Sequence, residues 1–372
     1  MAQGFSLKDH LFNAETVTVL GRHFDDAGVF DAQPFVDDVM AGLAPLELKA
    51  RINWIAEVLA GYLPHEFDAA AQAISSALPP PLDPTKSDDD FGHFIYAPLG
   101  VYVETHGLHA HVDQSLSLLE QLTQRFSMEF SIRAFLNSFE DQTLERMQDW
   151  VLHENYHVRR LVSEGTRPKL PWGTKVGLTP DQTLPLLDQL HADPTRFVTR
   201  SVANHLNDIT KSDGTAVIGR LEAWQSQRAQ VPKELDWMRK HALRGLIKAG
   251  DPNAMLHLGY RPDVAIHLTH FAITPNEVEI GGDAEISMEI KCDHDAPVIV
   301  DYRIDFAKPS GGTSTKVFKC KQLELKAGKP VTITKRHKFK GDATTFTLHP
   351  GVHCLHCQIN GRVIHSVEFH LR

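Results

Sequence analysis

The chain has 372 residues, 42% of them hydrophobic, and a formal net charge of −9, which fits a globular protein long enough for two or three domains. No apolar run approaches the ~18 residues of a membrane span, and the N-terminal MAQGFSLKDHLF lacks a signal peptide's basic start and long apolar stretch. The four cysteines (Cys292, Cys320, Cys354, Cys357) all lie in the last quarter, so the expectation is a cytoplasmic protein with reduced thiols and neither a membrane span nor a disulfide-stapled fold.

The acidity is local. Residues 1 to 120 hold 5 Lys and Arg against 18 Asp and Glu, whereas residues 150 to 250 hold 15 against 10. The middle is therefore basic, an asymmetry that can form an electrostatic footprint for nucleic acid. Residues 5 to 78 read as amphipathic helices: Asn13 caps AETVTVLGRHF, Asp31 opens a segment through FVDDVMAGL, and Leu46 to Leu63 keeps helical spacing. A Pro-rich and then acidic linker follows near 78–90, where prolines stop helix. The aromatic segment FGHFIYAPLGVYVETHGL is expected to pack against the basic region.

From Asp113 to about Ala249 the pattern is helix, turn, helix. Its densest stretch is His153 to Trp172, HENYHVRRLVSEGTRPKLPW. A helix from Asn155 to Glu164 sets Val158, Leu161 and Val162 in one stripe, with Arg159 and Arg160 beside it and Glu164 four residues after Arg160. The helix ends at Gly165, and the prolines of the following RPKLPW stiffen the turn. The result is a carboxylate among cations with an aromatic nearby. Arg160, Arg200 and Lys240 recur at 40-residue spacing after matching apolar neighbours, with Arg133 as a less regular fourth copy. Helix-pair repeats of that period predict a HEAT-like solenoid whose concave face carries a column of cations suited to a phosphate backbone.

Beyond Asp251-Pro252, seven short runs rich in Val, Ile, Thr and Phe alternate with Gly, Pro and Asn turn signals. They predict an all-β, immunoglobulin-like sandwich, with Asn360-Gly361 joining the last two strands as a hairpin. The expected organisation is thus multidomain α + β: an all-α HEAT-like solenoid over 1–260, then an immunoglobulin-like sandwich over 261–372. Neither of two metal-like patterns is assigned a metal. On a strand, His353 and Cys357 face one side while Cys354 and His356 face the other, so the four do not close on one ion. His153-Glu154-Asn155-Tyr156-His157 matches H-E-x-x-H, but the extended downstream ligand pattern is absent.

RFSMEFSIRAF (125 to 135), NYHVRRLVSEGTRPKLPW (155 to 172) and FVTRSVANHLNDITK (197 to 211), followed by a sandwich, resemble the AlkC group of DNA alkylation-repair glycosylases in the HEAT-like AlkC/AlkD superfamily. The resemblance implies excision of cationic N-alkylated bases of the 3-methyladenine and 3-methylcytosine type from duplex DNA, as a monomer, without metal or other cofactor and without drawing the base into a deep pocket. It makes Glu164 the first choice for the catalytic carboxylate, with Asp208 and Glu129 as the other acids. It assigns Arg159, Arg160, Arg167, Lys169, Arg200, Lys211, Lys240 and Arg133 to the DNA backbone, Trp172 to the lesion, and Asn204, His205 and Asn207 to the strand.

The chemistry is consistent with that assignment. A base alkylated at a ring nitrogen is already a good leaving group, so the site must supply negative charge for the oxocarbenium-like sugar and an acceptor for water. The competing reading is a non-enzymatic HEAT-repeat scaffold that binds nucleic acid or protein. A carboxylate facing DNA discriminates the two, because it repels the backbone that a pure phosphate binder must hold. A metal-dependent hydrolase on His153, Glu154 and His157 is a third reading, and it requires loss of activity with chelator.

Overall fold

A computed structural model describes residues 6–88, 90–341 and 346–372. The chain divides into two compact units: residues up to Ile209 together with Ala223–Met238, and Thr210–Glu222 together with Arg239–Arg372. The second unit therefore starts before residue 261, because helical segments ahead of the strands pack with the β domain. Along the chain the helices are α1 (Leu7–Leu11), α2 (Ala14–Asp26), α3 (Ala32–Leu43), α4 (Leu48–Tyr62), α5 (Phe67–Ala77), α6 (Ala97–Gly107), α7 (Val112–Thr123), α8 (Ile132–Ser138) and α9 (Glu140–Trp150). There follow α10 (Tyr156–Gly165), α11 (Pro180–Leu190), α12 (Arg196–Ile209), α13 (Gly214–Gln227), α14 (Pro232–Ala242), α15 (Arg244–Ala249) and α16 (Pro252–His257).

Local chemistry accounts for the helix starts. The Asn13 side chain accepts from the Glu15 and Thr16 backbone N–H groups, and Thr16 returns the bond as a capping box. Asn155 caps α10 by accepting from the His157 N–H at 2.9 Å. Helix α10 is buried on nearly every side, with Arg159 alone half-exposed. Its neighbours are α7, α9, α11 and α12, so it lies in the interior of the helical unit although its sequence shows a single apolar stripe. At Gly165, the last residue of the helix, a Cβ would meet the Ile132 side chain at 2.7 Å, so a glycine lets α10 pack this closely. Buried in that interior, Arg160 and Glu164 of α10 must find partners inside the fold.

The β strands are β1 (Ile266–Thr274), β2 (Glu277–Val278), β3 (Asp283–Cys292), β4 (Ala296–Ala307), β5 (Thr313–Leu325), β6 (Val331–Lys338), β7 (Gly351–Ile359) and β8 (Arg362–Leu371). They form a three-stranded sheet, β1-β3-β6, and a five-stranded sheet, β2-β8-β7-β4-β5. Period-two side chains such as Ile286, Met288 and Ile290 of β3 share one core with Val300, Tyr302 and Ile304 of β4. The seven runs read from sequence are seven of these strands. The eighth, β2, has two residues, too few to show alternation. On β7, His353 and Cys357 point into the core while Cys354 and His356 are half-exposed, and His356 is held between Asp305 (3.0 Å) and Ser366 (2.7 Å).

Asn360 (φ 45°) and Gly361 (φ 78°) make the turn between β7 and β8, with Ile359 paired to Arg362. A Cβ on Gly361 would lie 2.8 Å from Gly250 Cα. Gly361→Ala is expected to destabilise the chain by about 1–3 kcal/mol from backbone strain and contact, read as a lower urea midpoint at unchanged slope. An unchanged midpoint would show that the turn relaxes.

Candidate active site

Two arginines and three acids form one alternating ladder in the helical unit. Arg160 lies 3.0 Å from Glu129 and 3.8 Å from Glu164, and Arg167 lies 2.5 Å from Glu164 and 2.9 Å from Asp208. The ladder is tied to α12, whose Ser201 hydroxyl donates to Glu164 Oε2 at 2.6 Å. Burial pushes the Glu164 carboxyl up, but Arg160, Arg167 and the Ser201 and Arg167 hydrogen bonds outweigh it and hold that carboxyl below its usual range. Both Glu164 oxygens are thus committed. Glu129 is different: its Oε2 accepts from Ser127 and Arg160, while among the described residues its Oε1 has no protein partner.

Glu129, Arg160, Glu164, Arg167, Arg200 and Trp172 line one cleft of about 350 Å³. Five phenylalanines, Phe91, Phe94, Phe126, Phe130 and Phe197, line it as well. The Arg160 guanidinium sits 4.3 Å from the Phe197 ring centroid, and Phe91 meets Phe197 edge-on at 5.2 Å. Stacking of this kind fixes the guanidinium plane while leaving its rim open. The acidic linker reaches the same place: Asp88 pairs with Arg200 at 2.8 Å and Arg196 at 3.7 Å, and the Phe197 N–H donates to the Ser87 carbonyl. Trp172 is 64% exposed and has a left-handed backbone, φ 65°. Its carbonyl accepts from Lys49 Nζ at 2.6 Å, so a strained aromatic is clamped at the cleft edge.

Not every residue expected at the site reaches the cleft. Asp208 is not among the lining residues; it holds Arg167 from behind through Nε and Nη2. Arg133, expected on phosphate, is fully buried and donates to the carbonyls of Gly165, Arg167 and Thr174, bracing the loop that carries Trp172. Arg159 is taken by Asp193 and the carbonyls of His153 and Glu154. His205 is fully buried and donates from Nδ1 to the Ser163 carbonyl; burial pushes its imidazole down to about 4, so it packs as a neutral group and does not face a strand. Asn204 lines the cleft. Asn207 is half-buried one turn along α12, and Lys169 is exposed on the loop before Trp172. Lys211 and Lys240 are exposed and belong to the second unit, so within the helical unit the cation column consists of Arg160 and Arg200.

The sequence reading did not assign Ser127 and Ser201, which orient the carboxylates, or the walls Phe126, Phe130 and Phe197; the walls Phe91 and Phe94 lie in the aromatic segment expected to pack against the basic region, and Phe91 does so beside Arg160 and Arg200. All but Phe91 and Phe94 lie inside the quoted motifs, beside the residues that were assigned. His153 precedes α10 while His157 is buried in its first turn, so H-E-x-x-H does not occupy one helix face. Burial pushes His157 down to about 4, and the aromatic rings of Tyr156 and Phe197 enclose it.

An all-α unit with arginine-held carboxylates in an aromatic cleft, followed by a two-sheet sandwich, defines a helical, immunoglobulin-tailed protein class. Residues 267–372 match the family described as "Uncharacterised protein YhaZ, C-terminal Ig-like domain". Protein YhaZ of Bacillus subtilis (strain 168) is 37% identical over 271 residues, 72% of this chain and 74% of that protein. The structure of Pseudomonas fluorescens alkylpurine DNA glycosylase AlkC, bound to DNA containing an abasic site analog, is similar at TM-score 0.86 and 32% identity, covering 99% of this chain and 100% of that one. The chain belongs to the AlkC family of DNA alkylation-repair glycosylases.

Proposed function

We propose that this protein is a DNA glycosylase that hydrolyses the N-glycosidic bond of cationic N-alkylated bases, of the 3-methyladenine and 3-methylcytosine type, in duplex DNA and leaves an abasic site. The observation that carries this reading is the placement of Glu129 and Glu164 in one cleft, flanking Arg160. The alkylated base needs no protonation to leave. Glu164, held ionised by two arginines, supplies fixed negative charge near the sugar as positive charge develops on it. Glu129, with Oε1 uncommitted, orients the water that attacks the sugar. Arg200 meets a flanking phosphate, and Trp172 supports the strand at the lesion.

The test is release of free methylated base from methylated duplex, with and without chelator. Release that survives chelator supports the reading. Duplex binding by the wild type without base release transfers it to the non-enzymatic scaffold. A second expectation concerns the linker: Asp88 sits on the cations that a phosphate needs. Asp88→Asn is expected to tighten binding of undamaged duplex at low salt by about fivefold, measured by fluorescence anisotropy. Unchanged affinity would remove Arg200 from the phosphate contacts.

A further inference from the structure

A second cavity of about 240 Å³ shares Trp172, Phe94, Phe126 and Phe130 with the cleft as common walls. Its other sides come from α4, through Leu48 and Ile52, and from α6, through Val101 and Glu104. Its character is unlike the cleft's. Lys49, the cation at this cavity, is committed to the Trp172 carbonyl. Glu104 is half-buried and, among the described residues, has neither a hydrogen bond nor an ion pair. Burial alone pushes its carboxyl up, toward the protonated form. An acid in a partly aromatic chamber whose lysine is bonded elsewhere is costly to keep unless a ligand uses it.

The reaction itself produces such a ligand. When the N-glycosidic bond of a cationic N-alkylated nucleotide breaks, the bonding pair stays on the base and cancels its charge, and water adds to the sugar with loss of a proton. The base leaves neutral and flat, with an exocyclic N–H donor and ring-nitrogen acceptors. The arginine–carboxylate ladder no longer favours it. Aromatic walls stack such a base whatever its substitution, and a carboxyl group can donate to a ring nitrogen or accept from the exocyclic amine.

We propose that the cavity between Glu104 and the aromatic walls it shares with the cleft binds the released, neutral N-alkylated purine, an inference that rests on the glycosylase reading above. Trp172 belongs to both chambers, so bond breaking and base release are adjacent steps on one side chain. Lys49, by fixing the Trp172 carbonyl, keeps the partition in place.

The probe is free 3-methyladenine added to the full chain. It is expected to bind, read by tryptophan fluorescence, and to inhibit multiple-turnover base release. Glu104→Gln and Val101→Phe, the latter filling the cavity, are expected to weaken binding and inhibition by about tenfold, with single-turnover release within about twofold of wild type. Using both variants keeps the test valid if the larger side chain fails to fold. If the wild type releases base but free 3-methyladenine neither binds nor inhibits, or binds both variants as well as wild type, the product site is wrong and the glycosylase stands. If the wild type releases no base from methylated DNA, the proposed function fails first and takes this site with it.

Discussion

Base release by Glu164→Gln is expected to fall about a hundredfold, a loss of roughly 3 kcal/mol of transition-state stabilisation. The substitution keeps the shape and an acceptor for Ser201 but removes the charge that opposes Arg160 and Arg167. It therefore tests the charge at nearly constant shape, together with the loss of the second acceptor, the one that Arg167 uses. Glu164→Ala goes further, because it leaves two mostly buried guanidinium groups facing a void; breaking a buried pair on one side costs about 3–5 kcal/mol. The glutamine variant should thus lose rate much more than stability, and the alanine variant both. Acid provides an independent check. Since the Glu164 carboxyl titrates below its usual range, the stability it contributes is present above the ordinary carboxylate range and is lost as pH falls through its lowered folded value. The single-turnover rate should accordingly stay level from pH 7 to about 5. A fully active Glu164→Gln would move the catalytic role to Glu129, whose Oε1 has no protein partner among the described residues.

The reach of the sequence follows from what each signal measures. Period-two runs report burial on one sheet face, so the sandwich strands were visible and only β2, too short to alternate, was not. Helix α10 was legible in its ends, through Asn155 and Gly165, but not in its burial: apolar spacing marks one stripe, and charged positions read as solvated. The arginines beside that stripe are held because each meets an acid from a distant turn or loop, Arg159 with Asp193 and Arg160 with Glu129. Such pairing is a tertiary fact. For the same reason Arg133 and Arg160, both cations after apolar neighbours, look alike in sequence yet have different surroundings. One is surrounded by loop carbonyls and the other stacks on Phe197 at the cleft wall. Phe197 and Ser201 sat within a recognised motif, but an aromatic or a serine among apolar residues carries no mark of which way it faces. The linker was read only as Pro-rich and acidic, a composition that does not reveal that Asp88 pairs with Arg196 and Arg200.

That difference between arginines yields the other large effect. Arg133→Met is expected to destabilise the chain by about 3 kcal/mol or more, because it strips the buried carbonyls of Gly165 and Arg167 and the part-buried carbonyl of Thr174 of their donor, and each unpaired buried acceptor costs about 1–3 kcal/mol. Arg200→Met leaves Asp88 with Arg196 and removes a partly exposed pair, so its stability cost should stay within about 1 kcal/mol. DNA binding should order them the other way. Losing one phosphate contact at Arg200 lowers the slope of log affinity against log salt by about 0.9, whereas Arg133→Met, measured at a temperature where it is folded, should keep the wild-type slope. Urea unfolding and salt-titrated anisotropy on the same two variants decide it. If Arg133→Met lowers the slope while remaining as stable as wild type, Arg133 reaches the backbone after all, and the loop carrying Trp172 must open to let it out.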